Sequence, residues 1–119
     1  MDGTLDVTHA PGVDVLVLHG EHDLSTQGVL EAQIDAALDA GKSVVIDLSA
    51  VDFIDSTVLA AILHGQRRAT PEDEGRGPGL AVVASPGAAF VARLLSFVQI
   101  DGQVSVHRSR DSAVVSLRR

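Results

Sequence analysis

Val44-Val45-Ile46-Asp47-Leu48-Ser49-Ala50-Val51-Asp52-Phe53-Ile54-Asp55-Ser56-Thr57-Val58-Leu59-Ala60-Ala61-Ile62 is the stretch from which the fold is read. Val44 to Ser49 is apolar at consecutive positions, as in a strand covered on both faces or central in its sheet. A helix is expected to begin near Ser56, with Leu59, Ile62, Leu63 and Gln66 on its inward stripe and Arg67 and Arg68 in its last turn. The stretch is thus a strand, a turn and a helix, and the turn delivers Asp55-Ser56-Thr57 to the helix start. A hydroxyl there lies beside unpaired backbone N–H groups and the positive end of the helix dipole.

Upstream, Leu5 to Val7 reads as a short strand and His9-Ala10-Pro11-Gly12 as turn chemistry. Val13 to Leu18 reads as a second strand ending near Gly20, so Leu5 to Leu18 forms a hairpin. A helix follows, capped by Ser25 or Thr26, with Leu30, Ile34, Ala37 and Leu38 on one face and Gly41 just past its end. Downstream, Pro71 to Gly79 is a polar loop rich in Gly and Pro, which lacks the Gly-Lys-Ser/Thr ending of a phosphate loop. Leu80 to Ala84 is a strand. Ser85-Pro86 starts another helix with Ala89, Phe90, Leu94 and Phe97 inward. Gln103 to His107 is a last strand and Asp111 to Leu117 a last helix.

The order β-β-α-β-α-β-α-β-α makes residues 1–119 a single α/β domain. Its β-α-β units favour parallel neighbours, and the opening hairpin adds an antiparallel pair, so a single mixed sheet with helices packed against it is expected. Hydrophobic residues make up 45% of the chain but aromatics only 3%, so branched aliphatics and Ala must fill the core. Scarce aromatics argue against stacking on single-stranded nucleic acid, and a net charge of -7 argues against phosphate backbones. There is no cysteine, which excludes disulfides and thiolate chemistry. No apolar run reaches the roughly 18 residues that would cross a bilayer. With no signal-peptide pattern, a cytoplasmic location is the default expectation. His19 and His22 sit at a strand end, but neither they nor His9, His64 and His107 make a compact zinc ligand set, so no metal or other cofactor is expected. Asp47 with Asp52 or Asp55 is more simply surface and turn chemistry than a catalytic pair, and no nucleophile elbow is present; an enzyme is not expected.

Two motifs resemble a known family. Asp47-Leu48, then Val51 and Phe53-Ile54, then Asp55-Ser56-Thr57 resembles the signature of the STAS domain, the fold of bacterial anti-sigma factor antagonists. Gly20-Glu21-His22-Asp23 resembles the family's Gly-Glu-x-Asp segment after the second strand. The element order agrees over nearly the whole chain. The resemblance implies a binding protein whose Ser56 is phosphorylated by a kinase-type anti-sigma factor, with a serine phosphatase restoring binding. It implies partner contacts at Asp23, Asp55, Ser56, Thr57 and Val58. Val58 stands where the family usually has Gly, which would add bulk where a partner approaches. The alternative is a stand-alone STAS subunit of a phospholipid-transport ATPase complex, and a remoter one is a nucleotide-binding domain.

Overall fold

The structure is a computed structural model, and it describes residues 3–22, 24–54, 56–69, 78–84 and 105–117. Its elements are β1 (Thr4–Ala10), β2 (Val13–His22), α1 (Leu24–Asp39), β3 (Ser43–Ile54), α2 (Ser56–Ala69), β4 (Leu80–Val83), β5 (Ser105–His107) and α3 (Arg110–Leu117). The strands form one sheet in the order β1-β2-β3-β4-β5. β1 and β2 are antiparallel; β2 with β3, β3 with β4 and β4 with β5 are parallel. The mixed sheet read from the sequence is therefore the observed one. The expected helix from Ser85, the body of the Pro71–Gly79 loop and the first residues of the last expected strand lie outside the described residues.

Strand alternation divides the core into two layers. On one side Leu16, Leu18, Val44, Ile46, Leu48, Leu80 and Val82 pack with Leu30, Ile34 and Ala37 of α1 and Val58, Ala61 and Ile62 of α2. On the other, Val13, Val15, Val17, Val45, Ala81 and Val83 pack with Ala113 of α3. Val44 to Leu48 is buried on both faces. The consecutive apolar run predicts this, because covering both faces removes any reason for polar alternation.

The helix ends follow local chemistry. Gly41 has φ 77°, and Lys42 N–H donates to Ala37 O at 2.9 Å while Gly41 N–H donates to Leu38 O at 3.0 Å. This is a Schellman motif, which needs a left-handed residue at the position Gly41 occupies. The start of α1 differs from expectation. The helix begins at Leu24, so Ser25 and Thr26 lie inside its first turn instead of capping it.

The inward stripe of α2 also differs from expectation. Val58, Ala61, Ile62, Gly65 and Ala69 are its buried residues, whereas Leu59, Leu63 and Gln66 are only partly covered. Small side chains let α2 approach α1 and β4 closely, and a reading that weights large apolar residues turns the helix too far. A Cβ built on Gly65 would meet Ile34 Cγ2 and Leu80 Cδ1 at 2.8 Å each. On the outer side of this contact, Arg68 reaches Asp35 and Asp39 at 2.7 Å each, and His64 Nε2 lies 3.0 Å from Asp35. Such exposed pairs contribute little beside the apolar contact beneath them. Gly65→Ala is expected to destabilise the fold by about 1–3 kcal/mol through overpacking, despite the better helix propensity of Ala. Urea unfolding of both proteins measures the difference.

Candidate functional site

The site is built by a difference in strand length. β4 pairs with β3 only from Val44 to Asp47, yet β3 continues to Ile54. Beyond Asp47 it stays paired with β2, through register shifts after Val17 and Gly20, as far as Glu21↔Phe53 and His22↔Ile54. The paired residues His22 and Ile54 are each followed, after a single intervening residue, by a helix: α1 starts at Leu24 and α2 at Ser56. The parallel pairing therefore brings the Gly20-Glu21-His22 segment and the start of α2 to the same end of the sheet. The N-termini of two helices, with the positive ends of their dipoles, thus lie at that end. Asp23 and Asp55 lie outside the described residues.

At the start of α2, burial changes from residue to residue. Ser56 is exposed, Thr57 is half-buried, and Val58 is fully buried at 0% exposure. Two steps along an α-helix rotate a side chain by about 200°, so burying Val58 in the core turns Ser56 outward. This corrects the expectation for Val58. Its side chain does not add bulk at a partner-facing surface; it belongs to the cluster with Leu48, Val51 and Ile62. The feature that distinguishes it from Gly is apolar volume inside the domain.

Asp47 is also placed differently from the sequence reading. It is 2% exposed and so does not belong to the surface. One carboxylate oxygen accepts from Ser49 N–H at 2.9 Å and from the Ser49 hydroxyl at 2.6 Å. The other accepts from Arg110 Nε at 2.5 Å. Arg110 opens α3, on the face of the sheet opposite α1 and α2. Asp47 therefore fastens α3 to the middle of β3 and terminates the part of β3 that β4 covers. Burial pushes the Asp47 carboxyl up, but the hydrogen bonds from the Ser49 hydroxyl, Arg110 and the Ser49 N–H outweigh it, leaving the group below the usual carboxylate range. No signal in the sequence links Asp47 to Arg110, 63 positions away.

A second buried carboxylate marks the other end of the sheet. Asp14 lies at the start of β2 and accepts from Lys42, just before β3, and from His9 Nδ1 at 2.7 Å. Burial raises the Asp14 carboxyl, and Lys42 and His9 together bring it below its ordinary value. Among the described residues no three His, Cys, Asp or Glu side chains gather as a metal site. No helix among them is long and apolar enough to cross a membrane.

Two outcomes are expected from this arrangement. Val58→Gly removes a buried side chain and adds a helix penalty, so it should cost about 2–4 kcal/mol of stability by chemical denaturation. A gain in stability would show that the side chain is not a core element. Stability should also depend on acid. Asp47 and Asp14 have lowered folded-state values against about 3.9 unfolded, so their contribution is complete above that value and is lost as pH falls through the folded values. Urea midpoints measured from about pH 7 down to about pH 2.5 should fall along that range. Asp47→Asn should be less stable at neutral pH and show a shallower fall.

The geometry agrees with what the chain is similar to. A family model described as "Mlab, STAS domain" matches residues 5–115. An anti-sigma factor antagonist from Mycobacterium paratuberculosis is 28% identical, with a TM-score of 0.76 over 99% of this chain and 96% of that one. The Bacillus cell fate determinant SpoIIAA in its phosphorylated form is 15% identical, with a TM-score of 0.68 over 97% of this chain and 100% of that one. The anti-sigma factor antagonist SpoIIAA in its unphosphorylated form is 13% identical, with a TM-score of 0.68 over 95% of this chain and 96% of that one. Among curated proteins none matches the chain. With a family model spanning nearly all of it and the same fold in these solved structures, the chain belongs to the STAS domain family and has the fold of the anti-sigma factor antagonists.

Proposed function

We propose that this protein is an anti-sigma factor antagonist, a cytoplasmic and non-enzymatic binding module whose contact with a kinase-type anti-sigma factor is switched by phosphorylation of Ser56. The observation that carries the reading is the exposed Ser56 at the first position of α2, above a fully buried Val58. A hydroxyl presented there is accessible to a kinase and to a docking partner alike. The 28% identical protein from Mycobacterium paratuberculosis is an anti-sigma factor antagonist, and SpoIIAA exists in phosphorylated and unphosphorylated forms. The reading as a phospholipid-transport subunit is not favoured, because these solved relatives are anti-sigma factor antagonists.

The physics of the switch is local. A phosphate adds about -1.5 to -2 charges and three acceptor oxygens. At a helix N-terminus the domain itself tolerates this, since backbone N–H groups and the dipole favour an anion. A partner pressed against the same turn would have to desolvate the phosphate, which is costly without a dedicated cationic partner. Asp23, Asp55 and Thr57 are assigned to the partner-binding surface around Ser56, and Val58 supports it from beneath. Unphosphorylated protein binds, phosphoprotein does not, and a serine phosphatase returns it to the binding state. Reversing a 99:1 population needs about 5.5 kcal/mol of differential interaction, within reach of a poorly paired dianion at an interface.

The test is a binding assay with the kinase-type anti-sigma factor as partner. Wild type and Ser56→Ala should bind, and Ser56→Asp should bind at least about tenfold more weakly, a difference of about 1.4 kcal/mol. Incubation of wild type with the same partner and ATP should place phosphate on Ser56 by mass spectrometry. Phosphate absent from both Ser56 and Thr57 would remove the switch, and equal binding by all three proteins would remove its charge dependence.

A further inference from the structure

The sheet ends on one side at β1, which pairs with β2 and with no other strand among the described residues. β1 is a seven-residue strand, Thr4 to Ala10, without Lys or Pro and with one carboxylate, Asp6. Natural sheets usually protect such an edge with Lys, Pro, bulges or shortness. The opposite edge is β5, of which Ser105–His107 are described.

Which backbone groups this edge offers follows from the turn before β2. Pro11-Gly12, with Gly12 at φ 76°, is a two-residue connection, so Ala10 and Val13 form the hydrogen-bonded pair that closes it. Alternation then directs the N–H and C=O of Thr8, Asp6 and Thr4 toward β2. The same groups of His9, Val7 and Leu5 point outward, away from the sheet.

We propose that this edge joins a second copy of the chain, β1 against β1, antiparallel about a two-fold axis at Val7. In that register each outward residue meets another. Leu5 exchanges a reciprocal pair of hydrogen bonds with His9 of the second copy, Val7 with Val7, and His9 with Leu5. On the helix-bearing side of the sheet the half-buried Val7 of each copy faces Val7 of the other and touches its Leu5 diagonally, while each Leu5 stands opposite the exposed His9 of the other copy. On the other face Asp6, whose side chain is 71% exposed, stands opposite the exposed Thr8 hydroxyl. The two neighbouring registers of the same parity leave one outward residue unpaired on each strand. One of them also sets Asp6 against Asp6 in a close, non-hydrogen-bonded pair, where like charges repel. Both the backbone groups and the charges therefore select the register centred on Val7, and a second copy is the occupant for which the strand is self-complementary. The interface lies two strands away from β3, which leads into Ser56, and does not depend on how that site is used.

Sedimentation equilibrium of the full chain tests this, with two substitutions at the exposed Thr8. Wild type should dimerise with a dissociation constant below about 1 mM. Thr8→Asp sets the new carboxylate of each copy against Asp6 of the other and should weaken the dimer about tenfold. Thr8→Lys sets an ammonium against the same Asp6 and should tighten the dimer about threefold or more. Far-ultraviolet circular dichroism and thermal unfolding check that each variant folds, and the Lys variant keeps the test decisive if the Asp variant does not. A wild type that stays monomeric up to about 1 mM overturns the proposal. So does a dimer whose dissociation constant neither substitution changes, because it would use another surface.

Discussion

Burying Val58 in the first turn of α2 is the constraint on which the functional surface depends. It commits that turn to the core at 0% exposure and, by the pitch of the helix, leaves Ser56 facing water. Burial of a Val side chain stabilises by about 1.5–3 kcal/mol, a substantial share of the few kcal/mol that hold a small domain together. The orientation of the hydroxyl is therefore set by packing and does not depend on any hydrogen bond it makes itself. A Gly at that position would have to rely on other contacts to hold the same orientation.

Around this anchor the sheet supplies position and the small residues supply closeness. The long pairing of β2 with β3 carries two chain segments past the end of β4, to adjacent helix starts. Ala61, Gly65 and Ala69 let α2 settle near α1 and β4, so its axis is held by contact with both. Asp47 marks the transition between the covered and extended parts of β3. Its carboxylate would be costly to bury alone, and Ser49 and Arg110 make its burial tolerable. The same contact ties the last helix to the strand that leads to Ser56. Stability and presentation of the site thus share one strand.

Much of this is legible in the sequence, for reasons that differ between elements. The β3 run and the α1 stripe of Leu30, Ile34, Ala37 and Leu38 follow from hydrophobic periodicity, and Gly41 from the left-handed conformation it adopts cheaply. The start of α2 at Ser56 is visible because strand, turn and hydroxyl occur in succession. The stripe of α2 is not, because Ala and Gly carry little hydrophobic signal, yet at a close helix contact they are the residues that fit. The inward turn of Val58 is hidden because a position in a motif says nothing about which way a side chain points. The burial of Asp47 is hidden because its partner Arg110 is distant in the chain and charges are seldom buried unless paired. Ser25 and Thr26 carry the side chains of caps, yet Leu24 already belongs to α1, so cap chemistry alone places that helix start too late.

Thiol reactivity at the start of α2 tests the outward hydroxyl and the inward Val most directly. The chain has no cysteine, so single Ser56→Cys and Val58→Cys substitutions each introduce one reporter. Under native conditions the thiol at position 56 should react with a chromogenic disulfide reagent at close to the rate of an unfolded peptide. The thiol at position 58 should be protected until the protein is denatured. A slow thiol at 56 together with a fast one at 58 would mean that α2 is rotated, and that the surface described here is built on the wrong face of the helix.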